Sequence, residues 1–251
     1  MFALMLISLL VAVGLCLGLI PLVRRIGLVD HPGERTAHEY STPLAGGPAL
    51  LITFGLMMVF LYQDNPFVQG LALGGFLMFV VGLIDDYRPL SALIRFMVQI
   101  VACTVIIVHA DVRLDDFGRL FWDSSLTLGW LSIPVTIFAA LGVINSFNMI
   151  DGMDGLSGSI FLVAAAGMAM LAGMALQNEI HQLLLLACSA VLGYLLLNAR
   201  FPWNQKARVF MGDSGSQFLG FFLAWCFIAV GSDHNEAGQR AFMPMAAVWL
   251  F

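Results

Sequence analysis

The chain has 251 residues, 60% of them hydrophobic and 11% charged, with a formal net charge of −5 and a mean hydropathy of +0.92. Soluble domains carry about 25% charged residues, so this chain has too few charges to coat a water-facing surface. Its negative balance excludes a basic nucleic-acid-binding face. What remains is a single integral-membrane domain over residues 1–251, in contact with a lipid bilayer and not with nucleic acid.

A transmembrane helix needs about 20 mostly apolar residues. In chain order the candidate spans are residues 2–23, 44–62, 67–84, 90–108, 130–147, 157–176, 182–199 and 215–231. A ninth apolar run, 241–251, is about half a span and predicts a chain truncated at its C-terminus. The expected fold is therefore all-α: a polytopic helical bundle of eight full spans plus a truncated ninth. Residues 112–115 and 120–128 alternate weakly around Gly118 and predict a small hairpin between the fourth and fifth spans. Cys16, Cys103, Cys188 and Cys226 each lie inside an apolar run and read as small buried apolar residues.

Alternating the connections puts Arg24, Arg25, Arg35, Arg88, Arg200, Lys206 and Arg208 on one side, and Arg113, Arg119 and Arg240 on the other. Cytoplasmic loops carry the Lys/Arg excess, which predicts that the first side is cytoplasmic and the N-terminus external. Arg95 falls inside the fourth span, near its cytoplasmic end, where it can snorkel or face the bundle. The external carboxylates, Asp64, Asp111, Asp115, Asp116, Asp123, Glu179, Asp233 and Glu236, are scattered and read as solvated.

The internal carboxylates cluster instead at helix ends beside glycines, and four segments carry them. The first, residues 27–47, contains Asp30, Arg35, His38 and Pro43 before Gly46 and Gly47, a turn whose backbone N–H groups suit phosphate oxygens. The second is Asp85 and Asp86, whose side chains leave a helix about 100° apart. One can hold a hard cation while the other meets a phosphate group. The third places Asn148, Asp151 and Asp154 at three-residue intervals among Gly152 and Gly155, and it fails as an EF-hand loop. A polar, glycine-broken junction between apolar spans is expensive unless it lines a site. The fourth runs from Arg208 through Phe210, Asp213 and Ser214 into the eighth span, where Asp213 or Ser214 can cap the helix. Magnesium prefers a few carboxylates plus substrate phosphates. Together the four segments predict a magnesium-dependent phosphoryl-transfer site, without a Walker A or kinase glycine loop.

At these residues the chain resembles the polyprenyl-phosphate N-acetylhexosamine-1-phosphate transferases, glycosyltransferase family 4. It looks closest to the bacterial undecaprenyl-phosphate N-acetylglucosamine-1-phosphate branch. The resemblance runs from Gly27 onward and rests on the four segments in order. It implies a multi-pass enzyme of the bacterial inner membrane with a cytoplasmic site. The enzyme would move a sugar-1-phosphate from a UDP-N-acetylhexosamine to undecaprenyl phosphate and release UMP, with Mg2+, or Mn2+ in its place, as cofactor. Such an enzyme admits a homodimer. By motif, Asp213 and Asp85 would hold the metal, and Asp85, Asp86 and Asp213 would be catalytic, Asp86 orienting or deprotonating the lipid phosphate. Asn148, Asp151 and Asp154 would line the nucleotide and Phe210 the uracil; from the residues themselves, Gly46 and Gly47 by backbone access, His38 as a titratable donor, and Arg35 and Arg208, with Arg88 and Lys206, by charge are the candidates to meet substrate. Thr36 stands where the family commonly has Lys, and a His-rich loop after the ninth helix is missing from the 251 residues. The alternatives are the related muramoyl-pentapeptide transferases and, from another class, a cation-coupled transporter with acidic ligands.

Overall fold

A computed structural model describes residues 1–30, 41–117, 127–202 and 205–232. These form eight α-helices: α1 Phe2–Arg25, α2 Gly46–Tyr62, α3 Pro66–Tyr87, α4 Ala92–Ala110, α5 Ser132–Ile150, α6 Leu156–Met174, α7 Asn178–Asn198 and α8 Gly212–Ser232. Seven are long and apolar enough to cross a membrane; α2, with 17 residues, is shorter. At 1.5 Å per residue α2 reaches only about 25 Å of a core about 30 Å thick. The ninth apolar run, 241–251, falls outside the described residues.

The helix ends follow local chemistry. Asn65 caps α3 by accepting from the Phe67 and Val68 amides, with Pro66 in the first turn. Ser91 caps α4 through the Ile94 amide, and Arg24 and Arg25 close α1, where a helix dipole favours cations. Trp130, 85% exposed, lies at the start of α5, where an indole suits a membrane interface.

Helix α8 is the centre of the bundle and is buried along its whole membrane-crossing length. It packs against α2, α3, α5 and α6, while α1 lies outside across α2 and α7, and α4 across α3 and α5. Glycines allow the close approaches. A Cβ on Gly74 or Gly75 would run into Phe221 or Phe218, and one on Gly82 would sit 2.5 Å from the Asp213 carbonyl oxygen and the Ser214 Cα. Phe54 meets Phe218 and Phe222 edge-on, with centroids 5.2 and 4.9 Å apart. All four cysteines are buried and free.

The connections sort to two ends. At one end Tyr62 donates to Gln182, Asn65 bonds Glu179, and the His109 ring meets Gln69 at 2.8 Å. Here Asp116 and Thr127 form a single antiparallel bridge; the rest of the expected hairpin, 118–126, falls outside the described residues. Asp116 is not solvated as its loop position suggests, being 8% exposed. The other end gathers all four polar segments. It holds a two-stranded ladder absent from the sequence expectations, β1 (Val29–Asp30) against β2 (Thr42–Pro43), antiparallel with Val29 opposite Pro43.

Candidate active site

The backbone fixes the frame of the site first. The Phe210 amide donates to the Pro43 carbonyl at 3.0 Å, and the Gly46 and Gly47 amides donate to the Phe210 and Met211 carbonyls at 2.9 and 3.1 Å. The first and fourth segments are therefore stitched together, and Phe210 is held by its own peptide groups with its side chain half-buried. This corrects the expectation for Gly46 and Gly47. Their amides are engaged inside the protein, and they are glycines for packing reasons. A Cβ on Gly46 would lie 2.5 Å from the Tyr194 ring, and one on Gly47 would lie 2.6 Å from the Met211 carbonyl oxygen.

Asn198, at the end of α7, joins the third and fourth segments. Its Oδ1 accepts from the Gly155 amide at 2.7 Å, and its Nδ2 donates to the Val209 carbonyl at 2.9 Å. It is buried, and a buried carboxamide bonded at both ends locks what it touches. The sequence signal was present in a polar residue closing an otherwise apolar run, but nothing in the sequence pairs it with residue 155 or 209.

The carboxylates sit on this frame. Helix α8 begins at Gly212, whose φ of +71° is left-handed, so Asp213 and Ser214 lie in its first turn and neither caps it. The cap comes through space from α3: Asp86 accepts the Asp213 amide on Oδ1 at 2.7 Å and the Ser214 amide on Oδ2 at 3.1 Å. Both Asp86 oxygens thus meet the positive end of α8. Asp85, nearly buried, accepts the Leu90 amide on Oδ1 at 2.6 Å and Arg95 Nη1 on Oδ2 at 2.9 Å. Arg95 therefore faces the bundle. It is the only Asp, Glu, Lys or Arg within α4, and an ionisable residue inside a span is a signal of function by itself.

Asp213 lies beside Asp85, and Asn148 Nδ2 donates to its Oδ1 at 2.7 Å and to Ser216 Oγ at 2.9 Å. Asp151, just past α5, accepts Ser157 Oγ at 2.5 Å. Burial pushes its carboxyl up to about 6; the Ser157 hydrogen bond opposes this and the Asp213 charge adds to it. Asp154 turns aside to Arg200, Nε to Oδ2 at 2.7 Å. Arg208 is exposed at the same end, with its amide on the Leu197 carbonyl at 2.8 Å. Arg35 and His38 fall outside the described residues. The structure thus brings together Asp85, Asp86, Asn148, Asp151 and Asp213 and adds Arg95 to them. Asp154 lies to one side with Arg200.

Residues 68–231 match the sequence model of a family described as "Glycosyl transferase family 4". A Bacillus subtilis protein, "Probable undecaprenyl-phosphate N-acetylglucosaminyl 1-phosphate transferase", is 31% identical over 81% of this chain and 57% of its own length. The "Undecaprenyl-phosphate alpha-N-acetylglucosaminyl 1-phosphate transferase" of Escherichia coli K12 is 30% identical over 90% of this chain and 60% of its own. Its Salmonella typhi counterpart is 33% identical over the same shares. The chain therefore spans under two thirds of the length of these relatives.

Proposed function

The chain belongs to glycosyl transferase family 4, and on that premise we propose that it transfers N-acetylglucosamine-1-phosphate, or a related N-acetylhexosamine-1-phosphate, from a UDP-sugar to undecaprenyl phosphate and releases UMP. The observation that carries the reading is the meeting of Asp85, Asp213, Asn148 and Asp151 at one end of an otherwise apolar bundle. A lipid phosphate and a water-soluble nucleotide can meet at such an end. The same clustering disfavours a transporter, whose ligands lie near the bilayer midplane. The basic bias of the loops at that end supports a cytoplasmic site in a bacterial inner membrane.

In the reaction, an oxygen of the lipid phosphate forms a bond to the sugar-bearing phosphorus. The bridging P–O bond to the other phosphate breaks, and UMP leaves with its electron pair; the sugar C–O bond is untouched. With a dianionic acceptor no proton has to be consumed. Asp86, whose two oxygens accept the Asp213 and Ser214 amides, is placed to hold the first turn of α8 rather than to attack phosphorus.

Magnesium is commonly held by one or two carboxylates together with substrate phosphates. Asp213 beside Asp85, with Arg95 at hand, is a donor set that such a cation fits. Asp213 and Asp85 would hold it, and when bound it would neutralise charge on the diphosphate. Asn148 keeps Asp213 in place, Arg95 holds Asp85 in orientation, and Asp86 fixes the start of α8 under both. Phe210, pinned by backbone on both sides, offers a ring to the nucleobase. The test is UMP release by the protein carrying this chain, with undecaprenyl phosphate, magnesium and a panel of UDP-sugars. UDP-N-acetylglucosamine should be used best. Exclusive use of the muramoyl-pentapeptide nucleotide would move the assignment to that branch, and nucleotide uptake without UMP release would overturn it.

A further inference from the structure

Beneath the carboxylates lies a second polar layer made only of carboxamides. Gln99 on α4 and Gln217 on α8 are each 1% exposed, and Asn145 on α5 is half-buried. Asn145 Nδ2 donates to Gln99 Oε1 at 2.8 Å and to the Leu141 carbonyl at 2.8 Å. Gln99 Nε2 in turn donates to Gln217 Oε1 at 3.3 Å and Asn145 Oδ1 at 3.4 Å. Each of the three stands one helical turn deeper than a residue of the candidate site. Gln99 follows Arg95 by four positions, Asn145 precedes Asn148 by three, and Gln217 follows Asp213 by four. Residues so spaced share a helix face.

Gln217 Nε2 is buried with no partner among the described residues. An amide half-satisfied in an apolar interior is a local compromise, and such compromises collect where function requires them. The group that Gln217 does use is the acceptor that ties α8 to α4. Side-chain amides also hold membrane helices in a fixed mutual rotation more specifically than apolar packing does.

Resting on the transfer reading above, we propose that Gln99, Asn145 and Gln217 are positioning residues: their hydrogen bonds fix the rotation of α4, α5 and α8 and so keep Arg95 on Asp85 and Asn148 on Asp213. The layer touches no substrate and acts through the residues one turn above it.

The variant Gln99→Met keeps the volume and removes the hydrogen bonds. Spin labels on Ala92→Cys and Gly152→Cys, both exposed at the site end, report how firmly α4 sits against the end of α5 without any turnover. With Gln99 the label distance distribution should be narrow; with Gln99→Met, and separately with Gln217→Met, it should widen about twofold. In the unlabelled variants kcat should fall at least about tenfold while KM for the UDP-sugar stays within about threefold and the protein remains folded at the assay temperature, its unfolding temperature lowered because buried amides lose a partner. A distribution as narrow as that of the parent would overturn the proposal. So would a widened one with unchanged kcat, because the layer would then be structural only. If the parent itself shows no transfer while the variants widen the distribution, the functional reading fails and the helix-fixing layer stands without a role in that reaction, so the two failures are told apart.

Discussion

Each carboxylate of the cluster has a different set of neighbours, and this separates the consequences of changing it. Asp213→Asn removes a charge that faces Asp85, so stability should hold or rise while transfer falls about 10²–10³-fold, the loss typical of removing one electrostatic stabiliser. Asp85→Asn should lower transfer as far and also lower the unfolding temperature, because it removes the carboxylate that Arg95 bonds directly. Asp64→Asn, on an exposed residue at the opposite end, should change neither. UMP release and thermal unfolding on the three variants check this, and equal activity loss in all three would remove the site assignment. Asp151 makes a second prediction, about pH. Its folded pKa of about 6 lies above the ordinary 3.8, so ionising it costs more in the folded state. The stability tied to its protonated form is present below about pH 4 and is lost as pH rises through 6. Ser157→Ala removes a hydrogen bond that lowers this pKa. The pH range over which Asp151 ionises should therefore move upward, which a pH series of unfolding temperatures measures directly.

At the scale of elements, apolar run length marked the helices. The order of packing was not legible. Helix α8 has the lowest hydropathy of the seven long helices, yet it is the one wholly shielded from lipid. In a chain this apolar, hydropathy separates span from loop but not centre from periphery. What marks α8 is its set of glycines and aromatics, which only acquires meaning beside the glycines of α3. The Arg95–Asp85 pair and the Asn198 bridge were hidden for a related reason. Both join polar groups on different elements, and spacing along one helix carries no information about the other. The contact of Gly82 with the start of α8 yields the third prediction. Gly82→Ala forces a methyl onto the Asp213 carbonyl and the Ser214 backbone. Overpacking of this kind costs about 1–3 kcal/mol and here also pulls Asp86 off the helix it caps. The unfolding temperature should drop and transfer should be lost. By contrast, Gly142→Ala, where a Cβ meets nothing within 4 Å, should be neutral in both assays.

At the scale of the whole molecule, the helices alternate direction so that all four polar segments reach one end. Ser41 is exposed there, and Asp64 is exposed at the other end. In intact cells a membrane-impermeant thiol reagent should label Asp64→Cys and leave Ser41→Cys unlabelled until the membrane is broken. The reverse pattern would turn the molecule over and place the site outside. The central position of α8 also bears on how the molecule is made. Chains enter a membrane from the N-terminus, so α2, α3, α5 and α6 are delivered before the helix they surround. Until residue 213 emerges, Asp86 has no amides to cap, Asn148 has no carboxylate to hold and Gln99 lacks its α8 partner. The nascent bundle must then hold polar groups against lipid or against an insertion factor, with a seam left open. Entry of the least hydropathic of the seven long helices then brings these partners together, so the polar contacts of this end form only once α8 is in place.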